Sequence, residues 1–125
     1  MVALTRLAGA DWTRTHNSSA AAVASAVNSA VSGSYHVCTG LTVAVTGAAV
    51  RSGPIPVELL SGATVLWAAT LAAAIGDTAS IEIDSLNVRA STNAHMILHT
   101  TAVGSAGSVH SISMWGYDVN DLGAA

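Results

Sequence analysis

Two histidines four residues apart, His95 and His99, are the first residues whose type and spacing suggest chemistry. On a helix they would form a metal-binding pair, but a zinc-protease motif would place a glutamate where Met96 stands. On a strand they share a face about 13 Å apart, at roughly 3.3 Å per residue. One metal ion does not span that distance, so structural or surface roles are expected. The remaining alternative for a metal site is a threefold axis on which three copies of one histidine meet, and the candidates are His36, His95, His99 and His110.

Acidic and hydroxyl side chains form no recognisable catalytic set. Glu82 and Asp84 alternate on one predicted strand face beside Arg89, which is typical of a solvated face rather than a pair of catalytic carboxylates. Ser and Thr are abundant, but no Gly-x-Ser-x-Gly nucleophile elbow is present. We therefore predict a protein that is not an enzyme, with no catalytic residues, no cofactor and no metal site within one chain.

The cysteine and the tryptophans favour packing over chemistry. Cys38 is alone, so no intrachain disulfide forms, and it is predicted to pack as a small apolar residue at the start of a strand. Trp12, Trp67 and Trp115 together would offer a stacking platform for sugars. Two of them lie in predicted strands, where packing in a core or an interface is the commoner role for an aromatic ring.

The composition limits the classes of partner. Charged residues make up 9% of the 125, against roughly 25% in ordinary soluble domains, and the net charge is −3 with four arginines and no lysine. So few cations cannot neutralise a run of phosphates, which excludes nucleic acid. The longest nearly apolar run, Val65–Ile75, is too short to cross a bilayer. The chain does not open on a basic region followed by an apolar one, so we expect no signal peptide. A surface this poor in charge invites association, so we expect partner subunits to cover much of it.

The strands that position the candidate residues are predicted from the alternation of apolar and polar side chains. In Tyr35–Thr46 large apolar side chains occupy the odd positions, which predicts a strand packed on one face. Further predicted strands are 57–60 and 63–71 around a Ser61-Gly62 turn, 80–84 with a change of phase at Ser85, 93–101 and 108–119. This spacing predicts an all-β domain, a β-sandwich or jelly-roll-like barrel of seven to eight short antiparallel strands.

The first 33 residues are ambiguous. Residues 1–17 lack a sustained period and read as an extended N-terminal arm that lies on a neighbouring molecule or is a loose end. Val23, Val27 and Val31 recur every four residues among alanines, which favours a helix, although a strand fits the same residues. The expected organisation is an arm at 1–17, a β-sandwich domain at 18–119 and a small-residue tail at 120–125.

Several runs together resemble one group of proteins. They are HVCTGLTVAVTG (36–47), VELLSGATVLW (57–67), SIEID (80–84), LNVRASTNAHMILHTTAVGSAG (86–107) and SISMWGYDV (111–119). With Gly40, the Ser61-Gly62 hairpin and the closing Gly116-Tyr117, they resemble small β-sandwich virion proteins of tailed bacteriophages, of the capsid decoration (cement) type. The resemblance covers roughly residues 18–119. The hairpin here has Ser61 where that group commonly has an aspartate.

The resemblance implies a strand at Ala20–Val27 and a structural role in a phage particle. Such proteins bind the outer capsid surface as oligomers, commonly trimers, so the implied partners are other copies and the major capsid protein. The implied place is the virion, after synthesis in the host cytoplasm. Candidate contacts to these subunits are arm residues: Leu4, Leu7, Trp12, Arg14 and His16. The alternative is a head-fibre or tail-associated receptor- or carbohydrate-binding module that uses loops near 47–53 and 103–108.

Overall fold

Nine β-strands make up most of the described chain, as the alternating apolar residues predict. The structure is a computed structural model that describes residues 12–18, 24–46, 55–71, 79–100 and 109–120. The strands are β1 (Trp12–Ser18), β2 (Ala24–Asn28), β3 (Ser34–Thr46), β4 (Ile55–Ser61), β5 (Thr64–Leu71), β6 (Ala79–Ile83), β7 (Val88–Arg89), β8 (Met96–Thr100) and β9 (Val109–Asn120).

The strands form two antiparallel sheets that pack into a β-sandwich. Sheet A has the order β1-β9-β3-β6, with β7 also beside β3, and sheet B has the order β2-β8-β4-β5. The predicted all-β sandwich is confirmed, with nine described strands instead of seven to eight. The break predicted at Ser85 separates β6 from β7, and both pair with β3. Among the described residues no helix has the length and apolar character to cross a membrane.

The core lies between the two sheets and is built from alternate positions of their longest strands. Leu41, Val43, Ile112 and Met114 face it from sheet A, and the inner residues of sheet B include Ile55, Val57, Leu59, Met96 and Leu98; all are at most 1% exposed. Alanines of β2 pack at its margin. The core is therefore mostly aliphatic and methionine.

A β-bulge corrects the predicted face of β3. The register with β9 shifts between Cys38 and Gly40, so Thr39 is an extra residue in the ladder. Before the bulge the inward residues are even-numbered, and after it they are odd-numbered, from Leu41 onward. The prediction that all odd positions from Tyr35 to Thr46 share one packed face is therefore wrong for the first half of the strand.

Residues 24–28 are a strand, as the resemblance implies, and the helix favoured by local residue type is wrong there. β2 pairs along its whole length with β8, and it alternates buried Ala24, Ala26 and Asn28 with more exposed Ser25 and Val27. The small alanines fit beneath the opposite sheet, so tertiary packing overrides their helical propensity.

The last residues of the predicted N-terminal arm form a strand of sheet A. Trp12–Ser18 is not a free extension but the edge strand β1, hydrogen-bonded to β9 with Trp12 opposite Gly116. Two outward pairs support the register: Thr15 Oγ1 lies 3.2 Å from Ser113 Oγ, and Ser111 Oγ donates to Asn17 Oδ1 at 2.7 Å. Residues 12–17 of the predicted arm therefore belong to sheet A, and its residues 1–11 lie outside the described residues.

Candidate functional site

The outer face of sheet B carries an apolar row across all four strands. Val27 of β2 pairs with Ile97 of β8, which pairs with Leu60 of β4, which pairs with Val65 of β5. Paired residues of antiparallel strands point to the same side, so the four side chains are neighbours. Val27 is 42% and Val65 47% exposed, while Ile97 and Leu60 are half-buried. We call these four residues the apolar row.

The next row of sheet B is polar. Ser25, His99, Glu58 and Ala68 stand opposite one another, and His99 Nε2 lies 2.8 Å from Glu58 Oε1. Beyond the apolar row on the other side, the backbone N–H of Ala30 donates to His95 Nδ1 at 2.8 Å. The two histidines therefore flank the apolar row, and each has a hydrogen-bond partner within the chain.

The outer face of sheet A is hydroxylated instead of aliphatic. Thr15, Ser113 and Thr42 stand opposite one another in one row, and Thr13 flanks Trp115 in the adjoining row of β1 and β9. Thr13 and Thr15 are exposed, and Ser113 and Thr42 are half-buried. We call Thr13, Thr15, Thr42 and Ser113 the polar ladder. The two outer faces thus differ in chemistry, which suits them to different partners.

Trp115 lies on sheet A because Gly40 leaves room for it. A Cβ atom on Gly40 would stand 2.2 Å from Cζ2 and 2.3 Å from Cε2 of the indole. The ring therefore occupies the space in which a residue-40 side chain would stand, and it remains half-buried on the outer face. The bulge at Thr39 brings Gly40 opposite Trp115, so this placement depends on the irregular register of β3.

Two tyrosines continue the aromatic surface. Tyr117 pairs with Val37, and Tyr35 pairs with Val119, so all four point outward from sheet A. The guanidinium of Arg89 lies 3.7 Å from the centre of the Tyr35 ring, a cation–π contact. Val37 and Val119 are 4% and 6% exposed on this outer face, outside the main core. We call Tyr35, Trp115 and Tyr117 the aromatic cluster.

A buried polar network closes the end of the sandwich near the β2–β3 connection. His36 is 1% exposed; its Nε2 lies 2.7 Å from Ser29 O, and its Nδ1 lies 2.5 Å from Asp118 Oδ1 and 3.1 Å from Asn28 Nδ2. A carbonyl oxygen only accepts, so Nε2 carries a hydrogen. The 2.5 Å separation of Nδ1 and Oδ1 is a short hydrogen bond between the histidine and the aspartate. Trp12 contacts the same ring edge-on, with centroids 6.0 Å apart.

The candidate subunit contacts fall in three places. Leu4 and Leu7 lie outside the described residues. Trp12 is 7% exposed and packs in this chain's own core, which leaves little of its side chain for contact with another subunit. Arg14 and His16 are exposed on β1, the end strand of sheet A, and their role as contacts stays a prediction.

Burial limits which histidines could form the metal site considered on a threefold axis. His36 and His110 are 1% and 0% exposed inside the sandwich, so neither can meet copies of itself on an axis, whereas His95 is exposed. Within the described ranges, no three His, Cys, Asp or Glu side chains are grouped closely enough to hold a metal ion. The loops at 47–53 and 103–108, predicted as receptor-binding elements, lie outside those ranges.

The three tryptophans do not form one platform. Trp12 is in the core, Trp67 packs against the core from β5, and Trp115 lies on the outer face of sheet A. The apolar row was missed by sequence reasoning, because its members are far apart along the chain and become neighbours only through strand register. Alternation along β9 places Trp115 and Tyr117 on one face, but the addition of Tyr35 to the aromatic cluster depends on the pairing of β3 with β9.

Cys38 is buried beside the bulge, as predicted for a small apolar residue. It is 0% exposed, and its thiol donates to the backbone carbonyl of Gly40 at 3.2 Å. Burial away from water raises the pKa of the thiol from 9.0 to about 11, although backbone hydrogen bonds with Gly40 and Trp115 partly oppose the shift. A thiol that stays protonated at neutral pH is a poor nucleophile.

This raised pKa predicts a loss of stability at alkaline pH. The unfolded thiol ionises near pH 9.0 and the folded one near 11, so the free energy of unfolding falls as pH rises through that window. The Cys38 contribution to the fall should be about 3 kcal/mol, from two pH units. Urea unfolding at pH 8 to 11 measures it, and Cys38→Ala is the control. Equal pH slopes in the two proteins would contradict the prediction.

No family model and no curated protein matches the chain. Among solved structures, it is similar to a β-glucosidase from Paenibacillus barengoltzii (15% identity, TM-score 0.40), of which it spans only 10% while 82% of the chain is covered. It is also similar to a carbohydrate esterase from Cellvibrio japonicus, with 12% identity and a TM-score of 0.39 over 87% of this chain and 35% of that one. A third similar structure is that of the pili of Bacillus endospore appendages, with 15% identity and a TM-score of 0.38 over 86% of this chain and 85% of that one. With every score below 0.5, these likenesses identify no function.

Proposed function

We propose that this chain is a non-catalytic structural protein of a phage virion, a capsid decoration protein that binds the outer shell as a homotrimer and stabilises it. The observation that carries the proposal is the apolar row. Its two valines are more than 40% exposed, and they lie on the two edge strands of sheet B, β2 and β5. In a chain with 9% charged residues, such a face is suited to packing on another protein surface.

The apolar row is the surface that packs on the major capsid protein. It runs from one edge of sheet B to the other, so it presents a flat apolar strip across four strands. Burying an exposed valine side chain contributes on the order of 1 kcal/mol, which is modest for one contact. Three copies in a trimer engage together, and multivalency converts weak contacts into lasting attachment.

The exposed edge of β1 is the second surface. β1 ends sheet A, so among the described strands nothing pairs with its outer edge, and its backbone N–H and C=O groups are available to an added strand. Arg14 and His16 lie on this strand. Contact between copies through β1 explains how a charge-poor surface is covered in the trimer.

Substitution of the apolar row tests the proposal. The Val27→Ser/Val65→Ser variant should bind shells of the phage that encodes the chain at least about tenfold more weakly, because apolar contact area is lost. Co-sedimentation with decoration-free shells measures the affinity. Val109→Ser, the same change at a valine 38% exposed on β9, is the matched control and should bind as the parent does.

Two further results bear on the role. Attachment should persist at about 1 M salt, where the Debye length is about 3 Å, because apolar contact is little screened. The mass in solution should be three times the 12.4 kDa of one chain. A monomer that shows no affinity for any shell would overturn the proposal, and release by salt would overturn the apolar mechanism.

A further inference from the structure

We infer that the outer face of sheet A binds a neutral carbohydrate, with Trp115 and Tyr117 as the stacking surfaces and the polar ladder as the hydrogen-bonding rim. The inference comes from a different face than the apolar row and does not rest on a virion role. It assigns a ligand class to the one described surface on which half-buried aromatic rings adjoin rows of hydroxyl groups.

The stacking surface begins at the indole of Trp115. Because Gly40 has no side chain, the ring sits over the backbone of β3. Tyr117 follows two residues along the same face of β9, about 7 Å away, from roughly 3.4 Å per residue. A pyranose ring presents C–H groups on its face and hydroxyls around its rim. The C–H face packs on an aromatic ring, while the rim stays available for hydrogen bonds.

The polar ladder supplies partners for that rim. Thr13 pairs directly with Trp115 across the β1–β9 ladder, and Thr15 and Ser113 occupy the next row. Thr42 adjoins Ser113 from the other side. Each hydroxyl both donates and accepts, as sugar hydroxyls do. Thr15 and Ser113 share a hydrogen bond with each other, but an apolar partner would offer none to the hydroxyls of Thr13 and Thr42, at a cost of roughly 1–3 kcal/mol for each when buried. A hydroxylated ligand therefore suits the face better than a second copy's apolar surface.

The charges on this face favour a neutral sugar. Strand pairing places Arg89 opposite Val37 at one end, and Glu82 opposite Thr42 at the other. Their signs are opposite, and the Arg89 guanidinium stacks on Tyr35. The pair therefore gives the face no excess of positive charge, which an anionic glycan such as a sialylated or sulfated chain would require.

The test uses the full chain carrying 5-fluorotryptophan, which gives three ¹⁹F signals. A printed array of neutral glycans identifies a binder, which is then titrated as a soluble oligosaccharide. The Trp115 signal, assigned with tryptophan-to-phenylalanine variants, should move in a saturable way. The signal of core Trp12 and that of Trp67 on sheet B should stay in place. Binding that moves the Trp67 signal instead would overturn the site.

Variants give the second readout. Trp115→Ala should weaken binding at least about tenfold, as expected for a tryptophan anchor, and Thr13→Val should weaken it severalfold by removing one rim hydroxyl. Trp67→Phe is the control and should bind as the parent does. Unchanged affinity in Trp115→Ala, or no neutral glycan bound by the parent chain, would overturn the inference. Where Trp115→Ala fails to fold, the ¹⁹F shifts of the parent chain alone test the site.

If Trp115→Ala loses the oligomer and the parent chain binds no glycan, the outer face of sheet A is a contact between copies of the chain and not a sugar site.

Discussion

Replacing Gly116 with alanine should destabilise the sandwich by about 3 kcal/mol or more, the range in which point substitutions disrupt backbone packing. A Cβ atom at this position would stand within van der Waals overlap of the backbone carbonyl oxygen of Val37, and 3.0 Å from Cζ2 of Trp12. The contact is with backbone, so no rotation of a side chain relieves it. β9 is also held on both sides, by β1 and β3, so the strand cannot shift without breaking one ladder.

Two other glycines separate this clash from the general effect of the substitution. Gly62 has φ of +58° and nothing within 4 Å of an added Cβ, so Gly62→Ala should cost only about 1 kcal/mol, through the strained turn conformation. Gly40→Ala displaces the movable ring of Trp115 and should fall between the two. Urea unfolding at one protomer concentration measures all three. A Gly116→Ala protein as stable as Gly62→Ala would show that the β3–β9 register differs from the one described.

Alternation within single strands made most of this fold predictable. The strands at 64–71, 79–83, 96–100 and 109–120 lie within three residues of the predicted segments, because a half-buried strand must alternate. The β4–β5 hairpin was predicted one residue early: Ser61 pairs with Thr64, so Gly62 and Ala63 form the turn. Gly62 supplies the positive φ that such a tight turn requires at its first position.

The parts that were missed depend on which strands meet. The bulge at Thr39 is defined by the pairing of β3 with β9. Gly40 inside the strand is typical of a bulge, but it does not show where the register shifts. The extended arm predicted for residues 1–17 includes β1, but its residues do not say whether the segment pairs with its own chain or with another. The apolar row and the polar ladder are likewise products of register.

Removing the carboxylate of Asp118 should be the second severe change, with an expected loss of about 2–3 kcal/mol from the lost hydrogen bond to a buried group. His36 is 1% exposed, and both its ring nitrogens have hydrogen-bond partners: Ser29 O at 2.7 Å and Asp118 Oδ1 at 2.5 Å. In Asp118→Ala the buried Nδ1 loses its carboxyl partner, and Asn28 is the remaining polar group beside it. Nδ1 then depends on the Asn28 amide alone, at a distance of 3.1 Å that makes a weaker hydrogen bond than the one that is lost.

The chain carries its own control for this argument. His99 and Glu58 form the same type of pair at 2.8 Å, but on the outer face of sheet B, where the two side chains are 29% and 34% exposed. Water replaces the missing partner there, so Glu58→Ala should cost less than about 1 kcal/mol. Asp118→Asn keeps an acceptor near His36 and should fall between the two alanine variants. Urea unfolding at pH 7 compares them; equal losses in Asp118→Ala and Glu58→Ala would mean that the His36 network is open to water.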